Sequence, residues 1–168
     1  MAVISPEKCC QTFLTIWGKE EKLRILVKRL SETAKLPTRA TSEAAGFDLY
    51  VDLNGLSSVE IQPHTSAMLS TGIAMVIPNG YFGGIFARSG LASKEGLRPP
   101  NCVGVIDSDY RGNIGVGLYN DSDETRTIHH GQRVAQLIII PCPDVTLDET
   151  EELPETERGA GGFGSTGR

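Results

Sequence analysis

The chain has 168 residues, 39% of them hydrophobic and 22% charged, with a net charge of −5. That length holds one domain with a respectable core and is short for two. The acidic balance excludes broad electrostatic binding to a nucleic-acid backbone, so any anionic ligand must be held by local arginines or a metal ion.

No apolar run approaches membrane-spanning length and no signal peptide is read. No membrane and no nucleic-acid partner is therefore expected, and the location is expected to be cytoplasmic (nucleus or organelle in a eukaryote). Cys9, Cys10, Cys102 and Cys142 lack C-x-x-C spacing, which argues against zinc and fits reduced thiols. Nineteen glycines and nine prolines favour short strands joined by turns over a helical bundle.

Residues 1–22 carry no readable motif and form an N-terminal extension of unknown role. The next segment is ambiguous: Leu23, Leu26, Val27 and Leu30 have helical spacing, while Leu23, Ile25 and Val27 alternate as in a strand. Thereafter apolar segments end at turn signals. Asp48–Asp52 runs to Asn54-Gly55, Ala74–Ile77 to Pro78-Asn79-Gly80, Tyr81–Phe86 to Arg88-Ser89-Gly90, and Gly115–Tyr119 to Asn120–Asp123. Val134–Ile140 is nearly unbroken and reads as a buried strand closed by Pro141. The pattern predicts an all-β sandwich or barrel with at most one short helix, near Ala92–Gly96.

Several of these segments carry chemistry. Asp48 begins a strand, as a turn residue or a metal-shell carboxylate. Arg88, Ser89 and Gly90 put a guanidinium, a hydroxyl and an N–H donor side by side at a strand end, a set suited to phosphate. It is no serine-hydrolase elbow, because G-x-S-x-G is absent. Gly104–Gly112 leads apolar residues into Asp107, with Tyr110 three residues on. This resembles a β-hairpin whose bend presents both to one pocket. Gln136 sits inside an apolar strand, where its amide needs a partner. His64, His129 and His130 are read as surface or structural; adjacent His129 and His130 would face opposite sides of a strand. Asn120-Asp121-Ser122 is a formal glycosylation sequon, without meaning in the absence of secretion.

Residues 148–158 are acidic and polar, a tether to a tail that combines Arg158, Phe163, Ser165 and five glycines in its last eleven residues. So glycine-rich a tail loses much entropy on ordering and adds nothing to a packed core. Its guanidinium and backbone N–H groups suit phosphate, and its ring suits a base or sugar. Gly159–Gly164 matches G-x-G-x-x-G, but a dinucleotide fingerprint needs a strand before it and a helix after it. The P-loop lysine is missing too.

Taken in order, Ala45–Tyr50, Arg88–Ala92, Gly104–Gly112, Gly131–Leu137 and Arg158–Gly167 resemble the five motifs of trimeric deoxyuridine triphosphatase (dUTPase). The resemblance covers roughly residues 23–168. It implies a jelly-roll-like β fold of the β-clip type, with the core at 23–147 and a flexible C-terminal arm at 148–168 that closes over an active site. It also implies a homotrimer with shared active sites, and Mg2+. The implied reaction is hydrolysis of dUTP to dUMP and pyrophosphate, which limits uracil incorporation into DNA and supplies dUMP for thymidylate synthesis.

By position, the resemblance makes Asp107 the carboxylate that activates water against the α-phosphorus, and Gln136 a holder of that water and the α-phosphate. Arg88, Ser89 and Gly90 become the phosphate loop. Asp48 becomes the aspartate that touches magnesium through water. Asn101 and the backbone of Gly104, Val105 and Ile106 would read the uracil edge, and Tyr110 would stack beneath the deoxyribose. Arg158 would meet the outer phosphates, while Phe163, with Gly164 and Ser165, would close over uracil. Ala87 stands where proline is frequent and Gln132 where an acid is frequent; neither has a chemical role.

Within the same fold, dCTP deaminases need a glutamate after the hairpin, and Gly115–Asn120 supplies none. A purely regulatory binding module is disfavoured because every catalytic position is filled. The resemblance also selects the strand reading of Leu23–Leu30.

Overall fold

The computed structural model describes residues 23–162. The order of elements is β1 (Leu26–Arg29), β2 (Phe47–Tyr50), β3 (Ser58–Ile61), β4 (Ser66–Ser70), β5 (Ile73–Val76), β6 (Tyr81–Ala87), a single π-helical turn (Leu91–Glu95), β7 (Leu97–Arg98), β8 (Gly104–Ile106), β9 (Gly115–Asn120), β10 (Arg126–His129) and β11 (Arg133–Pro141). The described residues are all-β and jelly-roll-like, as expected, and the one short helical segment among them falls where the sequence placed it. Gly96, at φ 69°, ends that turn by returning its N–H to Leu91 O.

Among the described residues all pairings are antiparallel, in four small sheets ordered β1-β5, β10-β3, β2-β11-β6-β8 and β4-β9-β7. The ambiguous segment around Leu26 is a strand, paired with β5 from Leu26↔Val76 to Arg29↔Ile73. Its residues are exposed, so burial did not choose between helix and strand; the paired edge of β5 did. In β9, Val116, Leu118 and Asn120 are buried while Gly115, Gly117 and Tyr119 face outward, the period-2 alternation of a strand with one core face. The inward side chains meet Leu49, Ile61, Leu69, Ile85, Ile128, Val134 and Leu137 in one core.

Buried polar groups in this core are tied down. The Asn120 amide donates to Ile61 O (2.9 Å) and Glu124 O (2.7 Å), and its Oδ1 accepts from Ser122 N (3.0 Å). The formal sequon therefore has its asparagine fully buried, out of reach of a glycan.

Asp52, just past β2, anchors the loop around residues 31–34. Ser31 Oγ and Thr33 Oγ1 (2.8 Å) donate to its carboxylate, as does Asn54 N (3.2 Å). Burial pushes this carboxyl up, but those hydrogen bonds and nearby His130 together hold it below the ordinary value. A depressed carboxylate stabilises the fold above its unfolded pKa of about 3.9, and that contribution is lost as pH falls through the folded value. Asp52→Ala is thus expected to cost about 2 kcal/mol at neutral pH, with the gap to the native chain narrowing below about pH 4. Urea unfolding at stepped pH measures this; a gap that stayed constant in acid would remove the carboxylate's charge from the account.

Candidate active site

Two clusters of the sequence-selected residues form, on different parts of the chain. The first lies where β2, β11 and the end of β6 meet. Asp48 is directly opposite Gln136 in the β2–β11 register, so the two side chains share a face. The Asp48 carboxylate is nearly buried and accepts from Arg88 Nε (2.9 Å) on one oxygen and Arg133 Nη1 (3.0 Å) on the other. Gln136 satisfies its amide by donating from Nε2 to Ala87 O (3.0 Å). Ser89 and Gly90 follow Arg88 and are exposed, and space is open around the Gly90 α-carbon. The result is two guanidinium groups oriented by one carboxylate beside open backbone, which suits an anion.

Arg133 was not singled out by sequence, and the reason is local. In a regular strand Arg133 and Gln136, an odd number of residues apart, would face opposite sides. The β2–β11 register shifts between Arg133 and Ala135, and this irregularity lets Arg133 reach Asp48. A bulge of this kind re-aims a side chain without leaving a mark in composition.

The second cluster surrounds β8. A slot of about 290 Å³ is lined by Asn101, Gly104, Val105, Ile106, Met68 and Pro100, among others. Beside it, a cleft of about 390 Å³ is lined by Asp107, Tyr110, Asn113, Met68, Val105 and Ile106. Asp107 and Tyr110 do share one cleft, as the sequence suggested, but not as the bend of a hairpin. β8 pairs with β6 (Gly83↔Ile106, Gly84↔Val105, Ile85↔Gly104), whereas β9 pairs with β4 and β7. Residues 107–114 thus carry the chain from one sheet to another. Because β8 is the edge of its sheet, one side of its backbone keeps unpaired N–H and C=O groups. These can read the edge of a planar ring.

Tyr110 is fixed by its neighbours. Its hydroxyl donates to Asn113 O (2.9 Å), and a Cβ at Gly112 would lie 2.5 Å from that hydroxyl oxygen. Glycine at 112 is therefore a steric requirement for the ring to fold back. Asp107 is exposed at the cleft mouth, where a carboxylate can orient water.

The two clusters do not meet. Among the described residues, no hydrogen bond or ion pair links Asp107 or Tyr110 to Asp48, Arg88 or Gln136. Arg158 is exposed and bonded locally, with Nε donating to Gly161 O (2.8 Å). Phe163, Gly164 and Ser165 lie outside the described residues. A third and larger cavity, about 450 Å³, is lined mostly by apolar residues such as Leu23, Ile25, Val27, Phe47 and Met75, with Arg39 beside them; it holds none of the residues selected above.

Among the described residues no group of three or more His, Cys, Asp or Glu could cage a metal, and both Asp48 oxygens face guanidinium groups. A carboxylate so engaged suits a magnesium ion that keeps its waters. Among the described residues no helix is long and apolar enough to cross a membrane.

The dUTPase family model matches residues 32–167. A deoxyuridine 5'-triphosphate nucleotidohydrolase of Wolbachia pipientis wMel is 45% identical over 154 residues, spanning 89% of this chain and 99% of that protein. One from Hydrogenobaculum sp. is 48% identical over 146 residues, covering 86% of this chain and 99% of its own. Among solved structures, the Staphylococcus bacteriophage 80alpha dUTPase with dUPNHPP superposes with a TM-score of 0.78 at 32% identity, covering 86% of this chain and 99% of that chain. A mutant dUTPase from phage phi11 of S. aureus, described for its coordination of a structural Mg(II) ion, superposes with a TM-score of 0.69 at 29% identity, covering 77% of this chain and 98% of that chain. Matched along most of its length by the family model and by relatives covered almost end to end, this chain belongs to the dUTPase family.

Proposed function

We propose that this protein is a dUTP diphosphatase, which hydrolyses dUTP to dUMP and pyrophosphate by attack of water on the α-phosphorus. The observation that carries the reading is the exposed Asp107 carboxylate beside Tyr110, at the mouth of a nucleoside-sized cleft, in a chain of this family. The free edge of β8 and the Asn101 amide supply donors and acceptors for uracil. The Tyr110 ring, held against Gly112, lies beneath deoxyribose and leaves no room for a 2′-hydroxyl. A slot built to pair a base edge rejects mismatched bases strongly, because a wrong base leaves its polar groups unpaired.

Asp107 takes the proton of the attacking water, and Gln136 holds that water against the α-phosphate. Arg88, Ser89 and Gly90 cradle the phosphates, and Arg158 meets the outer ones from the arm at 148–168, with Phe163, Gly164 and Ser165 closing over the base. Asp48 would be the residue that faces a magnesium ion through water, and that ion would supply charge neutralisation at the phosphates. The binding of dUPNHPP by the phage relative supports dUTP as the ligand.

Two half-sites in one chain, phosphate-binding around Asp48 and nucleoside-binding around Asp107, support a homotrimer in which neighbouring subunits complete each site. The exposed side chains of Leu26, Leu30 and Leu147 also favour burial between copies. Pyrophosphate release from dUTP, UTP, dTTP and dCTP, with and without magnesium, tests base, sugar and metal together. Ammonia release from dCTP, or no pyrophosphate from dUTP, would sink the proposal.

A further inference from the structure

We infer that Met68 is a substrate-positioning residue that forms the apolar wall of the nucleoside cleft; the inference rests on the dUTP reading above. Met68 lies on β4 opposite Gly117 of β9. Alternation puts it on the outer face, together with Gly115 and Gly117. Two glycines in alternate positions leave a trough of bare backbone on that face. The thioether lies in this trough: a Cβ at Gly115 would come within 2.9 Å of Met68 Sδ, and one at Gly117 within 3.6 Å of Met68 Cε.

The same side chain borders both cavities of the nucleoside cluster. It lines the slot together with Asn101 and Gly104, and the adjoining cleft together with Asp107 and Tyr110. It therefore stands at the junction between the base-reading end and the sugar end. Yet it is 76% exposed, whereas the other described methionine, Met75, is 4% exposed in the core. An apolar side chain this open does little for the fold, and it has much surface to bury when a flat ring and a sugar enter. Its sulfur is polarisable and its chain flexible, which suits contact with a pyrimidine ring. Sequence alternation alone gave no reason to select it, since its importance depends on glycines 47 and 49 residues later in the chain.

The test uses the full-length protein, steady-state dUTP hydrolysis, and calorimetric binding of a non-hydrolysable α,β-imido analogue of dUTP. Met68→Ala is expected to raise KM and the analogue's Kd by roughly five- to tenfold, with kcat within about twofold of the native enzyme. Met68→Leu, apolar and of similar volume, is expected to restore most of the binding. Gly115→Ala, which must displace the thioether, is expected to weaken binding in the native background and much less in the Met68→Ala background, a coupling that independent sites do not produce. An unchanged thermal midpoint in Met68→Ala excludes a folding defect. Unchanged Kd and KM in Met68→Ala would overturn the inference while leaving the hydrolase reading in place. Analogue binding that responds to Met68 in a protein that does not hydrolyse dUTP would instead overturn the reaction and keep the wall.

Discussion

Asp107→Asn is expected to lower kcat for dUTP by about a thousandfold, the scale of a lost general base, while nucleotide binding changes little. The two side chains have the same shape, and position 107 is exposed, so the fold has no stake in the charge. On the proposed reading, binding rests elsewhere, on the β8 edge, the Tyr110 ring and the guanidinium groups. A carboxamide at 107 can still contact a water but cannot take its proton. Stopped-flow pyrophosphate release, paired with calorimetry on the imido analogue, separates the two quantities. Retained turnover would remove Asp107 from the chemistry; lost binding with lost turnover would make it a substrate contact instead.

Deleting residues 158–168 is expected to reduce kcat/KM by roughly a hundredfold or more, the scale of removing a preorganised charge contact from a reacting phosphate. The core should survive intact, because strands end at Pro141 and residues 143–160 are exposed. The deletion removes two guanidinium groups, those of Arg158 and Arg168, and one aromatic ring, and on the proposed reading it also removes the exclusion of bulk water from the phosphates. Thermal unfolding of the truncated chain should match the native chain. Full activity after truncation would make the arm a passive terminus. Arg158→Ala and Phe163→Ala, made separately, divide the loss between phosphate and base.

Much of the β architecture was legible in the sequence, and for a local reason. β9 announces itself by alternation, with Val116 and Leu118 inward and glycines outward, and β11 by its long apolar run. β2, β5 and β6 end at Asn-Gly, Pro-Asn-Gly and Arg-Ser-Gly signals that the chain itself supplies. β3, β4, β7 and β10 were not read, because they are short and mix polar with apolar residues, as in Ser58–Ile61 and Arg126–His129. Such strands are defined by their partners more than by their composition.

The chemistry divides along the same line. Residue types and order along the chain determined which groups are available: Asp107 and Tyr110 three residues apart, Arg88-Ser89-Gly90 at a strand end, Gln136 within an apolar run. What faces what was decided only by tertiary structure. β8 leaves β9 and joins β6, which frees its outer edge for a ring. A register shift in β11 brings Arg133 onto Asp48, and Met68 lies over glycines on a strand far away in sequence. Periodicity reports the face of a strand, because side chains alternate along one backbone. It carries no information on the partner strand or the register, which are set by contacts between distant segments once loop closure and core packing have selected among them.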